Sequence, residues 1–158
     1  MALPNQIYYK RGICYERLNQ WRNAETDFLK ALKIEPEQPQ VLNYLAYGWI
    51  EKNIHFEKSI KMLEIAVNKN PKNHYILDSL AWAHYKKNNL LKAVKIMEKV
   101  IEIAPSEAIS LDHLGDIYFS LGRKREAYFM WIQALDLAEP DDNISKNVKS
   151  KIDKYDAG

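Results

Sequence analysis

Residues 111–135 read LDHLGDIYFSLGRKREAYFMWIQAL, and they place small residues at helical positions that usually carry leucine. The small residues are Gly115, Ala127 and Ala134, and the large aromatic residues between them are Tyr118 and Trp131. Separations of three and four residues follow one face of a helix, so the stretch predicts two helices. Gly122, in the tripeptide LGR, predicts the end of the first helix, because glycine is the usual residue at a left-handed helix stop.

The same spacing occurs three more times in the upstream sequence. The small residue of the first helix recurs as Gly12, Ala46, Ala81 and Gly115, at separations of 34, 35 and 34 residues. Three positions later stand Tyr15, Trp49, His84 and Tyr118. The second helix repeats Ala24, Ser59, Ala93 and Ala127, then Phe28, Leu63, Met97 and Trp131, then Ala31, Ala66, Val100 and Ala134. Each unit closes on a proline, at Pro36, Pro71, Pro105 and Pro140. A repeat of this length indicates stacked supersecondary units.

The units predict four helical hairpins, at about residues 5–38, 39–73, 74–107 and 108–141, within a single domain over residues 1–158. Proline ends the second helix of each pair because it lacks an N–H and clashes with the preceding turn. One extra residue between Trp49 and Ser59 is expected in the turn at residues 53–55, where an insertion costs little. The small residues let helices approach closely, and the aromatic residues fill the remaining gaps.

These small, aromatic and proline positions resemble those of the tetratricopeptide repeat, over about residues 5–141. The resemblance implies an all-α fold, a right-handed α-solenoid of four helical hairpins with a C-terminal capping helix. Arg11 departs from the pattern, because the later units have Leu45, Leu80 and Leu114 at its position. The pentatricopeptide repeat, which reads RNA, is the nearest alternative. The glycine and alanine pattern and the weak net charge argue against it.

The tail after the last unit carries Ile144, Val148, Ile152 and Tyr155 on one stripe, with lysines elsewhere. This spacing predicts an amphipathic helix at about residues 143–155 that caps the last hairpin. A helix lying on a membrane surface is the alternative, but the apolar stripe is narrow for that role.

Composition and charge exclude several classes of partner and site. The chain has 158 residues and a formal net charge of +2, which does not favour nucleic acid. No apolar run approaches the roughly 20 residues of a transmembrane helix, so we expect no direct membrane insertion. Cys14 is the single cysteine, which excludes an internal disulfide, and its neighbours Ile13 and Tyr15 predict a packing role for it.

The sequence contains no recognised catalytic or cofactor motif. It lacks a phosphate-binding loop, an HExxH zinc motif and a GxSxG nucleophile elbow. Candidate metal ligands are Asp112, His113 and Asp116. A helix sets Asp112 and His113 about 100° apart, however, so the side chains converge poorly on one ion. We therefore expect no enzymatic activity, no cofactor and no metal.

A second face of each first helix remains after the packing positions are assigned. It consists of the residues three before, one after and four after the small residue. Repeat by repeat, it reads Tyr9, Ile13 and Glu16, then Asn43, Tyr47 and Ile50, then Asp78, Trp82 and Tyr85, then Asp112, Asp116 and Phe119. In tetratricopeptide repeat proteins this face lines the concave groove. The resemblance therefore implies that these positions bind a partner.

Aromatic side chains on a solvated face are the usual anchors of a binding surface. Here they are Tyr47, Trp82, Tyr85 and Phe119, and the alternative is that they pack against neighbouring first helices. Family members that grip a C-terminal carboxylate use lysine, arginine and asparagine on this face, whereas this chain offers Asp78, Asp112 and Asp116. We expect a protein or peptide partner with apolar anchors and a lysine or arginine.

Three stretches are similar to the C-terminal repeats of larger proteobacterial tetratricopeptide proteins. They are VLNYLAYGWIE (residues 41–51), ILDSLAWAHY (residues 76–85) and the stretch at 111–135. Such proteins are often exported to the cell envelope and act as scaffolds, some for proteases. The resemblance implies a C-terminal fragment of an exported, envelope-associated parent. The start of the chain, MALPNQ, is not a secretory signal. A cytoplasmic location is therefore expected if the chain is complete.

Two classes of function follow from these observations. We favour a protein-interaction module that binds a partner in the groove. The alternative is a structural segment of a longer solenoid, which self-associates through an exposed first hairpin.

Overall fold

Residues 4–158 are described by the computed structural model, and within that range all regular structure is α-helical. The helices are α1 (Asn5–Arg17), α2 (Trp21–Ile34), α3 (Pro39–Glu51), α4 (Phe56–Lys69), α5 (His74–Lys86), α6 (Leu90–Ile103), α7 (Ala108–Ser120), α8 (Lys124–Leu137) and α9 (Asn143–Ala157). The chain forms two compact units, one ending at Ala83 and the other beginning at His84. The predicted all-α helical repeat fold is confirmed. The single domain over residues 1–158 stays a prediction.

Helices α1, α3, α5 and α7 all end in the same way. Each is followed by a residue of positive φ: Asn19 (57°), Asn53 (57°), Asn88 (66°) and Gly122 (80°). The next backbone N–H then donates back into the helix, as from Arg123 to the Tyr118 carbonyl at 2.9 Å. This is a Schellman stop, so the helix end predicted at Gly122 is confirmed. Asparagine takes the same place in the other three helices because it tolerates the left-handed conformation.

The turn between α3 and α4 holds the extra residue of the second repeat. It spans residues 52–55, whereas the turn between α1 and α2 spans residues 18–20. His55 adds a second left-handed residue to the longer turn, with φ of 53°. The predicted position of the insertion is therefore confirmed.

Gly12 and Gly115, which share one position of the repeat, lie where no side chain would fit. A Cβ on Gly12 would stand 2.6 Å from the Phe28 ring, and a Cβ on Gly115 would overlap the indole of Trp131. Phe28 and Trp131 occupy the same position in their repeats, and both are buried. The predicted use of small residues for close helix packing is confirmed at both places.

Cys14 is exposed, so its predicted packing role is wrong. It lies on the side of α1 that also carries Ile7 and Leu18, and both of these residues are exposed as well. Steps of four and three residues place Ile7, Arg11, Cys14 and Leu18 on one stripe. Ile7, Cys14 and Leu18 are all exposed on this stripe, although the apolar sequence around Cys14 suggested otherwise.

Helix α9 packs on α8 and α7 through the predicted apolar stripe. Val148 and Ile152 are buried, and the Tyr155 ring lies 4.8 Å from the ring of Tyr128 on α8. Asp142 caps the helix by accepting a hydrogen bond from the backbone N–H of Ile144. Among residues 4–158, no helix combines the length and the apolar character needed to cross a membrane.

Candidate functional site

Three of the predicted partner-binding residues line one pocket in the unit that begins at His84. Tyr85 of α5, Asp116 of α7 and Phe119 of α7 are joined there by Trp131, Lys151, Lys154 and Tyr155. The pocket has a volume of about 310 Å³, and we call it the lysine pocket. It is open to solvent, because the Phe119 side chain at its edge is 44% exposed. Binding by these residues stays a prediction.

The floor of the lysine pocket is an ion-paired triad. The Lys151 ammonium lies 2.6 Å from Oδ1 of Asp112 and 2.8 Å from Oδ1 of Asp116. The indole N–H of Trp131 also donates to Asp116, at 3.2 Å. Asp112 itself is buried. The two carboxylates that the sequence offers to a basic partner are therefore already engaged by a lysine of α9.

Burial sets the proton affinities of this triad. It raises the pKa of Asp116, and the nearby Asp112 raises it further, although Lys151 opposes both effects. Burial alone would lower the pKa of Lys151, but the attraction of Asp116 and Asp112 outweighs it and raises the pKa. The ammonium is therefore charged at neutral pH, and it neutralises one of the two carboxylate charges.

Aromatic rings form the walls of the lysine pocket. The Phe119 and Trp131 rings lie 5.6 Å apart at an angle of 36°, and Tyr155 continues the wall from α9. The Lys124 ammonium lies 5.7 Å from the centroid of the Phe119 ring. The hydroxyl of Ser120 donates to the Tyr85 hydroxyl at 3.4 Å. The pocket can therefore receive an apolar or aromatic side chain, which its rings would contact on several sides.

In the unit that ends at Ala83, Tyr9 and Asn43 line a second pocket. Its other lining residues are Gln40, Tyr44, Asn73, Tyr75 and Ile76, and its volume is about 260 Å³. We call it the tyrosine pocket. Tyr47 lines a smaller pocket of about 180 Å³ elsewhere in the same unit, together with Trp21 and Lys52 among others. Asn43 and Tyr47 are one turn apart on the same face of α3, but they line different pockets, and Tyr9 shares the pocket of Asn43.

Trp82 is only 8% exposed, so the expectation of a solvent-facing aromatic anchor is wrong at this position. Its indole N–H donates to Oε1 of Glu51 at 2.7 Å. Asp78 is also buried, and Ile13 is half-buried without lining a described pocket. For Trp82 the alternative interpretation, in which an aromatic residue packs against neighbouring helices, agrees with its burial.

Sequence reasoning missed residues that contribute to both pockets. Tyr44 and Tyr75 lie outside the positions three before, one after and four after the small residue, so the predicted binding face does not contain them. Lys151 was assigned to the polar side of α9. Its position three residues after the buried Val148 was the available signal, because that spacing places it beside the packed face.

Asp112 and Asp116 also formed the metal candidate considered from the sequence. The Lys151 ammonium lies within hydrogen-bond distance of both carboxylates, in the place that a cation would take. Within residues 4–158, no group of three histidine, cysteine, aspartate or glutamate side chains converges as metal ligands would.

Comparison with known proteins agrees with the repeat pattern. A family model described as tetratricopeptide repeat matches residues 6–38. A second model with the same description matches residues 75–107 and 108–141. TPR repeat-containing protein PA4667 of Pseudomonas aeruginosa is 24% identical over 110 residues, which is 70% of this chain and 18% of that protein. The chain therefore spans less than a fifth of the length of that curated relative.

Solved structures share the fold at low sequence identity. TTC0263, a thermophilic TPR protein of Thermus thermophilus, has a TM-score of 0.82 and 20% identity, over 96% of this chain and 80% of that one. A MamA fragment beginning at residue 41, from Desulfovibrio magneticus RS-1, has a TM-score of 0.72 and 21% identity, over 88% and 78% of the two chains. At these identities the likeness shows the fold alone.

Proposed function

We propose that this chain, which belongs to the tetratricopeptide repeat family, is a non-catalytic protein-interaction module whose partner inserts an apolar side chain into the lysine pocket. The observation that carries the proposal is the exposed Phe119 ring beside Tyr85 and Trp131, above the ion pairs of Lys151 with Asp112 and Asp116. Large aromatic side chains at the rim of a pocket are typical of binding hot spots. Each carboxylate beneath them already has Lys151 as an ion-pair partner.

The ion pairs of Lys151 with Asp112 and Asp116 make a basic partner less suitable for this pocket. A basic residue of a partner would have to displace Lys151 before it could reach Asp112 or Asp116. Lys154 is exposed at the edge of the pocket, and Lys124 lies beside Phe119. A partner with an apolar anchor and a neighbouring carboxylate would therefore be better matched than the basic partner expected from the sequence.

A pair of single-residue variants tests the proposal. Phe119→Ala removes the pocket wall, whereas Phe129→Ala removes a ring that is 62% exposed on α8 and lines no described pocket. Partners captured from a lysate of the source cell are identified first, and the affinity of each purified partner is then measured by calorimetry. We expect Phe119→Ala to weaken binding by about tenfold or more, and Phe129→Ala to leave it unchanged. Equal affinities for both variants would contradict the proposal.

Self-association through the first hairpin is a second candidate, favoured by a comparison within the chain. Ile7 is exposed, whereas the residues at its position in the other repeats, Val41, Ile76 and Ser110, are all buried. Tyr8 is half-buried, whereas the residues at its position in the other repeats are buried; they are Leu42, Leu77 and Leu111. A second copy of the chain would cover this face. Sedimentation at increasing concentration tests it: a dimer that Ile7→Glu abolishes would support this function, and a monomer throughout would refute it.

A further inference from the structure

The tyrosine pocket differs in chemistry from the lysine pocket. Three of its side chains are the phenols Tyr9, Tyr44 and Tyr75, and three are the amides Gln40, Asn43 and Asn73. None of its lining residues is charged. All of them belong to the unit that ends at Ala83. No side chain of this pocket can form an ion pair with a ligand, so apolar contact and hydrogen bonds to neutral groups are the interactions that it offers.

Two of the phenol rings, those of Tyr9 and Tyr44, are held in place before any ligand arrives. Tyr44 stacks on the fully buried Phe28, with ring centroids 5.8 Å apart. Tyr9 meets Tyr44 edge-on, also at 5.8 Å. Tyr75 stands at the rim, 57% exposed, with its ring 4.0 Å from that of His74. Rings fixed in this way can pack against a rigid apolar group at a small entropic cost.

The amides supply both donors and acceptors to a peptide main chain. Oδ1 of Asn73 accepts from the backbone N–H groups of Tyr75 at 3.0 Å and Ile76 at 3.2 Å, which leaves its NH₂ group to donate. Oδ1 of Asn43 is buried and has no hydrogen-bond partner. A buried acceptor without a partner is costly, and an N–H of a ligand would satisfy it.

The hydroxyl of Tyr9 adds a neutral donor. Burial, and after it the neighbouring Tyr44, raises the pKa of Tyr9 above its usual value. The hydroxyl therefore keeps its proton throughout the physiological range, and it can donate to a carbonyl.

Fixed tyrosine rings with neutral donors between them match one kind of peptide. Proline-rich segments adopt the polyproline II conformation at low entropic cost, pack their rings on aromatic side chains, and present carbonyls that no internal hydrogen bond uses. Because proline has no N–H, the donor to Oδ1 of Asn43 must come from a residue that stands between the prolines. We propose that the tyrosine pocket binds an uncharged proline-rich segment of a partner in the polyproline II conformation. The inference shares with the proposed function only the premise that the partner is a peptide, since it concerns another pocket in the other unit.

A synthetic probe tests the proposal on the full chain. The probe is acetyl-(Ala-Pro-Pro)₃-Ala-amide, and the control is an uncharged glycine–serine peptide of the same length. Nuclear magnetic resonance follows the titration up to about 1 mM peptide, which detects weak binding. We expect saturable binding of the proline peptide alone, with shifts at residues of the tyrosine pocket. Raising the salt to about 1 M NaCl should change the affinity less than twofold, because no charge lines the pocket.

Variants separate the tyrosine pocket from the rest of the surface. Tyr75→Ala and Asn43→Ala should each lower the affinity for the proline peptide by about fivefold or more. The first variant removes an aromatic ring, and the second removes a hydrogen bond to the peptide main chain. Tyr75 is exposed, so its replacement leaves the fold intact. Phe119→Ala, in the lysine pocket, is the matched control and should leave the affinity unchanged, which keeps this test distinct from that of the proposed function.

Three results would overturn the inference. They are the absence of binding at about 1 mM peptide, equal binding of the glycine–serine peptide, and equal affinities of the Tyr75→Ala and unaltered proteins. A concentration-dependent dimer abolished by Tyr75→Ala would also overturn it, since a second copy of the chain would then fill the pocket.

Discussion

The ammonium of Lys151 on α9 lies 2.6 Å from Oδ1 of Asp112 and 2.8 Å from Oδ1 of Asp116 on α7, so one lysine serves two carboxylates. The two aspartates are one helical turn apart and repel each other unless a cation lies between them. Helix α9 therefore does more than cover the apolar surface of the last hairpin. It also supplies the charge that allows α7 to place two carboxylates side by side.

Removing the lysine should destabilise the protein more than removing a neighbour. Lys151→Met keeps the length and apolar stem of the side chain but leaves two partly buried carboxylates without a cation. We expect the free energy of unfolding to fall by about 1–3 kcal/mol, measured by urea denaturation. Lys154→Met, on the exposed side of the same helix, should change it by less than about 0.5 kcal/mol. Equal unfolding midpoints for the two variants would refute this account of the triad.

The raised pKa of Asp116 predicts an unusual pH dependence. Its carboxyl binds a proton more tightly in the folded protein than in the unfolded chain, whose value is near 3.8. The contribution of this group to stability therefore increases as the pH falls through the folded pKa towards 3.8. Asp116→Asn lacks that gain. The stability of the unaltered protein, minus that of Asp116→Asn, should rise as the pH is lowered from neutral towards 3.8 in urea denaturation series. A difference that falls over this range would contradict the prediction.

The glycines and their partners vary together along the chain. The first and fourth repeats combine Gly12 with Phe28 and Gly115 with Trp131, whereas the second has Ala46 and Leu63 at these positions. The Cβ overlap at both glycines explains the pairing, because an aromatic ring takes the space that a methyl group would need. An aliphatic side chain leaves that space free.

A double-mutant cycle tests this pairing. Gly115→Ala alone should lower the stability, although alanine is worth about 0.5–1 kcal/mol more than glycine inside a helix. In a Trp131→Met background the same change should raise the stability, because the overlap is gone and only the helix preference remains. The expected coupling energy is about 1–2 kcal/mol. A change of the same sign in both backgrounds would show that the indole is not the obstacle.

Gly122, which ends α7, can be replaced without the steric overlap that a side chain at Gly115 would meet. Gly122 has φ of 80° and no atom within 4 Å of its expected Cβ position, so only backbone conformation limits its replacement. Asn19, Asn53 and Asn88 occupy the same place after α1, α3 and α5. Gly122→Asn should therefore change the melting temperature little, whereas Gly122→Val should lower it, because a β-branched residue resists positive φ. Thermal unfolding followed by circular dichroism measures both, and equal effects would contradict the argument.

Periodicity in the sequence was enough to predict the helices, because the small, aromatic and proline positions follow from local geometry. The insertion at residues 53–55 and the stop at Gly122 were predictable for the same reason. The candidate sites were predicted less well. The burial of Trp82 and the pairing of Asp112 with Lys151, 39 residues away, depend on contacts that a single helical face does not reveal. Cys14 was misjudged because its apolar neighbours say nothing about whether another element covers that side of α1.

The ion pair of Arg11 and Asp27 stands at two positions where each of the other three repeats has apolar residues. The guanidinium Nε lies 2.6 Å from Oδ2 of Asp27, and Nη2 lies 2.8 Å from Oδ1, so the contact is bidentate. At the same two positions the second repeat has Leu45 and Met62, and the fourth has Leu114 and Met130. Arg11→Leu should lower the melting temperature, because it leaves the buried Asp27 carboxylate without a partner. The double variant Arg11→Leu, Asp27→Met should recover that loss, since it restores the apolar pair of those repeats. A double variant that melts no higher than Arg11→Leu would contradict the prediction, because the ion pair itself would then be needed at this position.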